Sequence, residues 1–73
     1  VTIDNGATLN SNNTSSYKLS IYGNLTNNGT ITGTGGPNTI NFFGFALTNN
    51  GSIKCPVFND CSTPRGSGGG TWT

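Results

Sequence analysis

Leu25-Thr26-Asn27-Asn28-Gly29-Thr30-Ile31-Thr32 returns 22 residues later as Leu47-Thr48-Asn49-Asn50-Gly51-Ser52-Ile53-Lys54. At the same offset upstream stands a looser copy, Ile3-Asp4-Asn5-Gly6-Ala7-Thr8-Leu9-Asn10, and no gap is needed to align the three. A repeat of this length marks a stacked architecture, in which one unit cannot bury its apolar side until a neighbour covers it. The expected fold is all-β: a parallel β-solenoid of about 2.5 coils with a 22-residue repeat. The competing fold is an antiparallel β-meander, because Asn28-Gly29 and Asn50-Gly51 are strong hairpin signals. A meander has no need of a constant register, which favours the solenoid. A leucine-rich repeat has a suitable period but lacks the helical segment and most of the leucines.

Written as rows of 22, the chain alternates faces. From Leu19 to Thr26 the residues Leu19, Ile21, Gly23 and Leu25 fall on one side and Ser20, Tyr22, Asn24 and Thr26 on the other, the signature of a half-buried strand. The predicted inward columns are Val1/Gly23/Phe45, Ile3/Leu25/Leu47, Leu9/Ile31/Ile53, Leu19/Asn41 and Ile21/Phe43. Small Gly23 above or below bulky Phe45 would keep the layer volume constant. A column of Asn5/Asn27/Asn49 would stack amides at the strand spacing of about 4.8 Å, where they can bond as a ladder. The polar segments 10–17, 32–39 and 54–61 are equal in length and unlike in sequence, as expected of loops on one side of a stack.

Three segments follow: residues 1–54 as β-solenoid coils, 55–61 as a Cys-closed cap loop, and 62–73 as a Gly-rich linker or tail. The repeat decays beyond Lys54, since Thr63 and Arg65 fall where Leu19 and Ile21 would recur. Cys55 and Cys61, an even count in a small chain rich in Asn, Ser and Thr, predict one short-loop disulfide and an oxidising compartment. Metal binding is the weaker reading of the pair, because the chain has no histidine and a tetrahedral site would need further ligands.

Composition narrows the classes further. Charged residues are 7% of the 73, with net charge +1, against a usual share of about 25%. Nucleic acid and anionic membranes are therefore poor partners. No apolar run approaches the length of a membrane span, and none resembles a signal peptide. With 30% hydrophobic residues and 12 glycines, the core is undersized for a chain of this length to stand alone. Opening on Val rather than Met, the chain reads as a processed or partial product, or as a subunit stabilised by stacking on copies of itself.

Gly23-Asn24-Leu25-Thr26-Asn27-Asn28-Gly29-Thr30-Ile31-Thr32 and Ala46-Leu47-Thr48-Asn49-Asn50-Gly51-Ser52-Ile53-Lys54 resemble the repeats of bacterial cell-surface and secreted β-solenoid proteins, the haemagglutinin-like adhesins and β-strand-repeat proteins. The likeness covers residues 1–54; the Cys loop and Gly-rich tail depart from it. It implies a right-handed parallel β-helix in an extracellular or cell-surface adhesin or filament, with a structural or adhesive role. The expected partners are further β-coils of the same polypeptide or identical subunits stacked head to tail. The N-terminal row opens on Val1-Thr2-Ile3, a β-prone edge without helix, proline or charge cluster, which another coil should cover.

Few residues suit chemistry. Asp4 and Asp60 are the only acids and stand more than two rows apart, so the clustered carboxylates of polysaccharide-cleaving β-helices are missing. Without histidine, Ser/His/Asp and Cys/His nucleophile systems are excluded. The expectation is no enzyme and no cofactor. Five Asn-x-Ser/Thr sites occur, at Asn12, Asn13, Asn24, Asn28 and Asn50, little more than this composition scatters by chance. Asn24, Asn28 and Asn50 are kept as candidate glycosylation sites, although Asn28 and Asn50 have a sufficient structural use as turn residues. The rank Thr8/Asn10, Thr30/Thr32, Ser52/Lys54 is too broken for an ice-binding face. The second functional reading is a carbohydrate-binding module using Tyr22, Phe42 and Trp72 as sugar-stacking aromatics. The bland reading of Tyr22 is that it only covers Gly44.

Overall fold

The computed structural model describes residues 1–11, 19–33, 40–58 and 66–73. Among the described residues nine short strands follow in chain order: β1 (Thr2–Ile3), β2 (Thr8–Asn10), β3 (Leu19–Ile21), β4 (Leu25–Asn27), β5 (Thr30–Thr32), β6 (Ile40–Phe42), β7 (Leu47–Asn49), β8 (Ser52–Ile53) and β9 (Thr71–Trp72). They form three sheets, ordered β1-β4-β7, β2-β5-β8-β9 and β3-β6, and every strand pairing is parallel. Hairpins join antiparallel neighbours, so the meander does not describe these pairings. Among the described residues there is no α-helix, only a 3-10 turn at Cys55–Val57, and no helix long and apolar enough to cross a membrane.

The chain visits the three sheets in a fixed order. After β8, Phe58 bridges Ile40 in parallel, Ser67 bridges Thr48, and β9 lies beside β8. All three sheets feed one core: Leu25 and Leu47 from the first, Ile31 and Ile53 from the second, Ile21, Ile40 and Phe42 from the third. Val57 and Phe58 complete it, while Ile3, Leu9 and Trp72 pack against it partly buried. Burying each of these side chains contributes roughly 1.5–3 kcal/mol. The alternation predicted for Leu25 and Thr26 is present, since Leu25, Asn27, Leu47 and Asn49 are buried and Thr26 and Thr48 half-exposed.

The register is not constant, and this corrects several columns. Pairings Leu25↔Leu47, Thr8↔Thr30 and Thr30↔Ser52 keep the offset of 22. Thr2 pairs with Thr26 and Ile3 with Asn27, because the corner after β1 holds Asp4, Asn5, Gly6 and Ala7 where the corner after β4 holds only Asn28 and Gly29. Ile3 is therefore not in the Leu25/Leu47 column. Asn5 lies in an exposed turn rather than in an amide ladder. In the third sheet Leu19 pairs with Ile40 and Ile21 with Phe42, one residue short of 22, so Asn41 and Phe43 are not the inward partners. Leu19, on an edge strand, remains exposed.

The tail is also corrected. Residues 66–73 do not run off as a linker: Ser52 pairs with Thr71 and Ile53 with Trp72, and backbone bonds Ser67 N to Leu47 O, Asn49 N to Ser67 O and Gly70 N to Asn49 O seat the segment on β7. Glycine is required for that approach. Gly66 and Gly68 have φ of 76° and 100°, and a Cβ on either would collide with the carbonyl oxygen of Leu47 or Asn49. Nor does pairing stop at Lys54, because Phe58 bridges Ile40 in parallel and lies with Val57 in the core. Cys61 and the Asn12 and Asn13 sites lie outside the described residues.

Candidate functional site

Two corners flank β4 and β7, and they present opposite chemistry. After these strands comes Asn-Asn-Gly, whose amides form two parallel ladders. Inside, Asn27 Nδ2 donates to Asn49 Oδ1 at 3.0 Å and to Ser52 O at 3.1 Å, while Gly29 N donates to Asn27 Oδ1 at 3.2 Å. Asn49 Nδ2 continues the line to Thr71 O at 3.1 Å. Outside, Asn50 Nδ2 donates to Asn28 Oδ1 at 2.8 Å. Burying Asn27 and Asn49 is tolerable only because these bonds satisfy their polar atoms.

Before β4 and β7 the corners differ in length. Three residues, Tyr22, Gly23 and Asn24, separate Ile21 from Leu25, whereas four, Phe43 to Ala46, separate Phe42 from Leu47. The extra residue restores the 22-residue offset lost in the third sheet. Asn24 Oδ1 accepts from Ala46 N at 3.1 Å and Leu25 N donates to Ala46 O at 3.0 Å, so the longer corner is still tied to the shorter one.

The result is an exposed aromatic corner of Tyr22, Phe43 and Phe45, with 74%, 56% and 98% of each residue accessible. Tyr22 and Phe43 are stacked, ring centroids 5.2 Å apart at 21°. Phe43 and Phe45 are thus corrected from core to surface, and Gly23 balances no inward phenylalanine. The expected trio of Tyr22, Phe42 and Trp72 is not brought together. Phe42 is buried in the core, and Trp72 is half-buried with its ring edge-on to Phe58, centroids 5.9 Å apart. The signal that could have exchanged Phe42 for Phe43 is the surplus residue between Phe42 and Leu47. Reading the third sheet at 21 puts Phe42 above Ile21 and frees Phe43 to meet Tyr22.

Of the candidate glycosylation residues, Asn28 and Asn50 bond each other and Asn24 is exposed, its Oδ1 accepting from Ala46 N and its backbone oxygen from the Val1 amino group. Lys54 directs Nζ to Gly33 O at 3.0 Å. Among the described residues there is no pocket and no group of three metal-ligating side chains. The aromatic corner is therefore an open surface offering π faces and apolar area, suited to a flat ring or to another apolar surface. Comparison with family models, with curated proteins and with solved structures gives no match.

Proposed function

We propose that the chain is a stretch of parallel β-solenoid serving as a structural or adhesive element of an extracellular or cell-surface protein, with no catalytic role. The observation that carries this reading is β4 lying in register beneath β7 with an inner and an outer amide ladder between them. Such ladders gain from repetition of the row and offer nothing to a substrate. Length, rigidity and display are what this arrangement supplies. At the lower end β1 and β2 are edge strands of their sheets, and open edges are templates for further strands. The proposed partners are further β-coils, of the same polypeptide or of an identical subunit.

Electron microscopy with fibre diffraction on the concentrated protein tests this. The expected result is filaments with a repeat of about 4.8 Å along the axis, and a dispersed monomer at every concentration would count against self-stacking. The Cys55–Cys61 disulfide belongs to the same proposal, since it presumes an oxidising compartment. Its loss should destabilise by at most about 3 kcal/mol for so short a loop; alkylation of both thiols in the unreduced native protein would refute it.

The second reading, a carbohydrate-binding surface, is favoured by the stacked and exposed Tyr22–Phe43 pair. Glycan-array binding that disappears in Tyr22→Ala and Phe43→Ala variants but survives Trp72→Ala would support it.

A further inference from the structure

Three Asn-Gly steps occur, Asn5-Gly6, Asn28-Gly29 and Asn50-Gly51. Such a step is prone to lose ammonia, because glycine has no Cβ to shield its amide nitrogen from the carbonyl carbon of the preceding side chain. The attack needs a glycine N–H that is not already bonded and an asparagine side chain free to turn towards it.

These requirements separate the three steps. Gly29 is buried and its N–H is held by Asn27 Oδ1, while Asn28 Oδ1 accepts from Asn50. Gly51 N donates to Asn27 O at 3.1 Å, and the Asn50 amide nitrogen, which would be the leaving group, is committed to Asn28. Asn5 and Gly6 are different. Both are exposed, in a turn closed by Ala7 N donating to Asp4 O at 2.9 Å, with Gly6 at φ 85° and open space around its Cα. Among the described residues neither the Gly6 N–H nor the Asn5 side chain has a hydrogen bond.

We propose that Asn5 is a built-in site of spontaneous deamidation, protected at the two otherwise identical steps by the amide ladders. Gly6 N forms a bond to Asn5 Cγ, the Cγ–Nδ2 bond breaks, and ammonia leaves carrying the proton released from Gly6 N. Water then opens the cyclic imide at either carbonyl, giving aspartate or isoaspartate, with no change of oxidation state. The new carboxylate stands beside Asp4 in the corner joining edge strands β1 and β2. Charge on a strand edge opposes edge-to-edge pairing, so the reaction would weaken stacking at that end; this consequence rests on the stacking proposed above, whereas the modification does not.

The test is peptide mass spectrometry on the whole folded chain during incubation at mildly alkaline pH, with a parallel sample in urea and an Asn5→Gln variant. In the folded chain Asn5 should convert at least about tenfold faster than Asn28 or Asn50, and the gap should close to about twofold in urea, where opening no longer limits the protected steps. Asn5→Gln should abolish the early amide-to-acid mass change. Equal rates at the three steps in the folded chain, or an Asn5 amide that persists while Asn28 or Asn50 converts, would overturn the assignment. Filament formation by the aged and fresh samples is scored separately, so failure of stacking and failure of deamidation are read independently.

Discussion

The Asn-Asn-Gly corner and the aromatic corner lie at opposite ends of the same two strands, three residues apart, and they solve the crossing between sheets in different ways. At the first, equal length in both rows lets like side chains sit over like, and polar amides can be buried because each finds a partner in the next row. At the second, the rows differ by one residue, so beyond the stacked Tyr22–Phe43 pair like side chains do not sit over like, and these large apolar rings stay outside. Register, more than hydrophobicity, decides which side chains this fold can bury.

That comparison breaks most sharply at β4, the strand shared by both corners. Leu25→Asp buries an unpaired charge and should cost more than about 4 kcal/mol, enough to abolish folding. Thr26→Asp next to it should stay within about 1 kcal/mol in urea unfolding, and equal losses would remove the alternation on which both corners depend. Phe42→Ala should cost about 3–5 kcal/mol by opening a core cavity. Phe43→Ala should cost about 1 kcal/mol or less, the worth of an exposed ring pair, and a reversed order would return the third sheet to a 22-residue offset.

The polar corner is sharpened by its two ladders. Asn27→Ala leaves the Gly29 N–H and Asn49 Oδ1 buried without their partner and should destabilise by about 2–4 kcal/mol. Asn28→Ala, removing only the outer bond, should cost about 0.5–1 kcal/mol; thermal unfolding by circular dichroism separates them. Smallest of all, Phe45→Ser should leave stability within about 0.5 kcal/mol, since almost nothing of Phe45 is covered.

The repeated Leu-Thr-Asn-Asn-Gly is enough to read the parallel stacking of Leu25 on Leu47 and Ile31 on Ile53 and the Asn27–Asn49 amide ladder, because there sequence offset and spatial offset agree. The single strand expected from Leu19 to Thr26 is instead β3 and β4, parted by the exposed Tyr22, Gly23 and Asn24. Sequence alone does not separate Phe42 from Phe43, because adjacent phenylalanines satisfy a period of two in either phase, and only the corner length distinguishes the phases. The longer turn at Asp4–Ala7 moves Ile3 and Asn5 out of the columns that a 22-residue offset predicts. Gly66–Gly70 carries the composition of a linker, yet here the missing side chains are what permits close backbone approach to β7. The aromatic corner is legible in the sequence only at Tyr22, because Phe43 and Phe45 fall on the same alternation as inward Leu47.

Trp72 gives the last row an optical signature. It is the single tryptophan of the chain, carried on β9, half-buried and edge-on to Phe58, so all indole emission comes from β9. Stacked rows open most readily at their ends. Emission should shift towards that of a hydrated indole as β9 lifts from β8, at denaturant concentrations where far-ultraviolet dichroism still reports the inner strands. The separation between those two transitions measures how strongly the glycine-rich row is coupled to the rows beneath it.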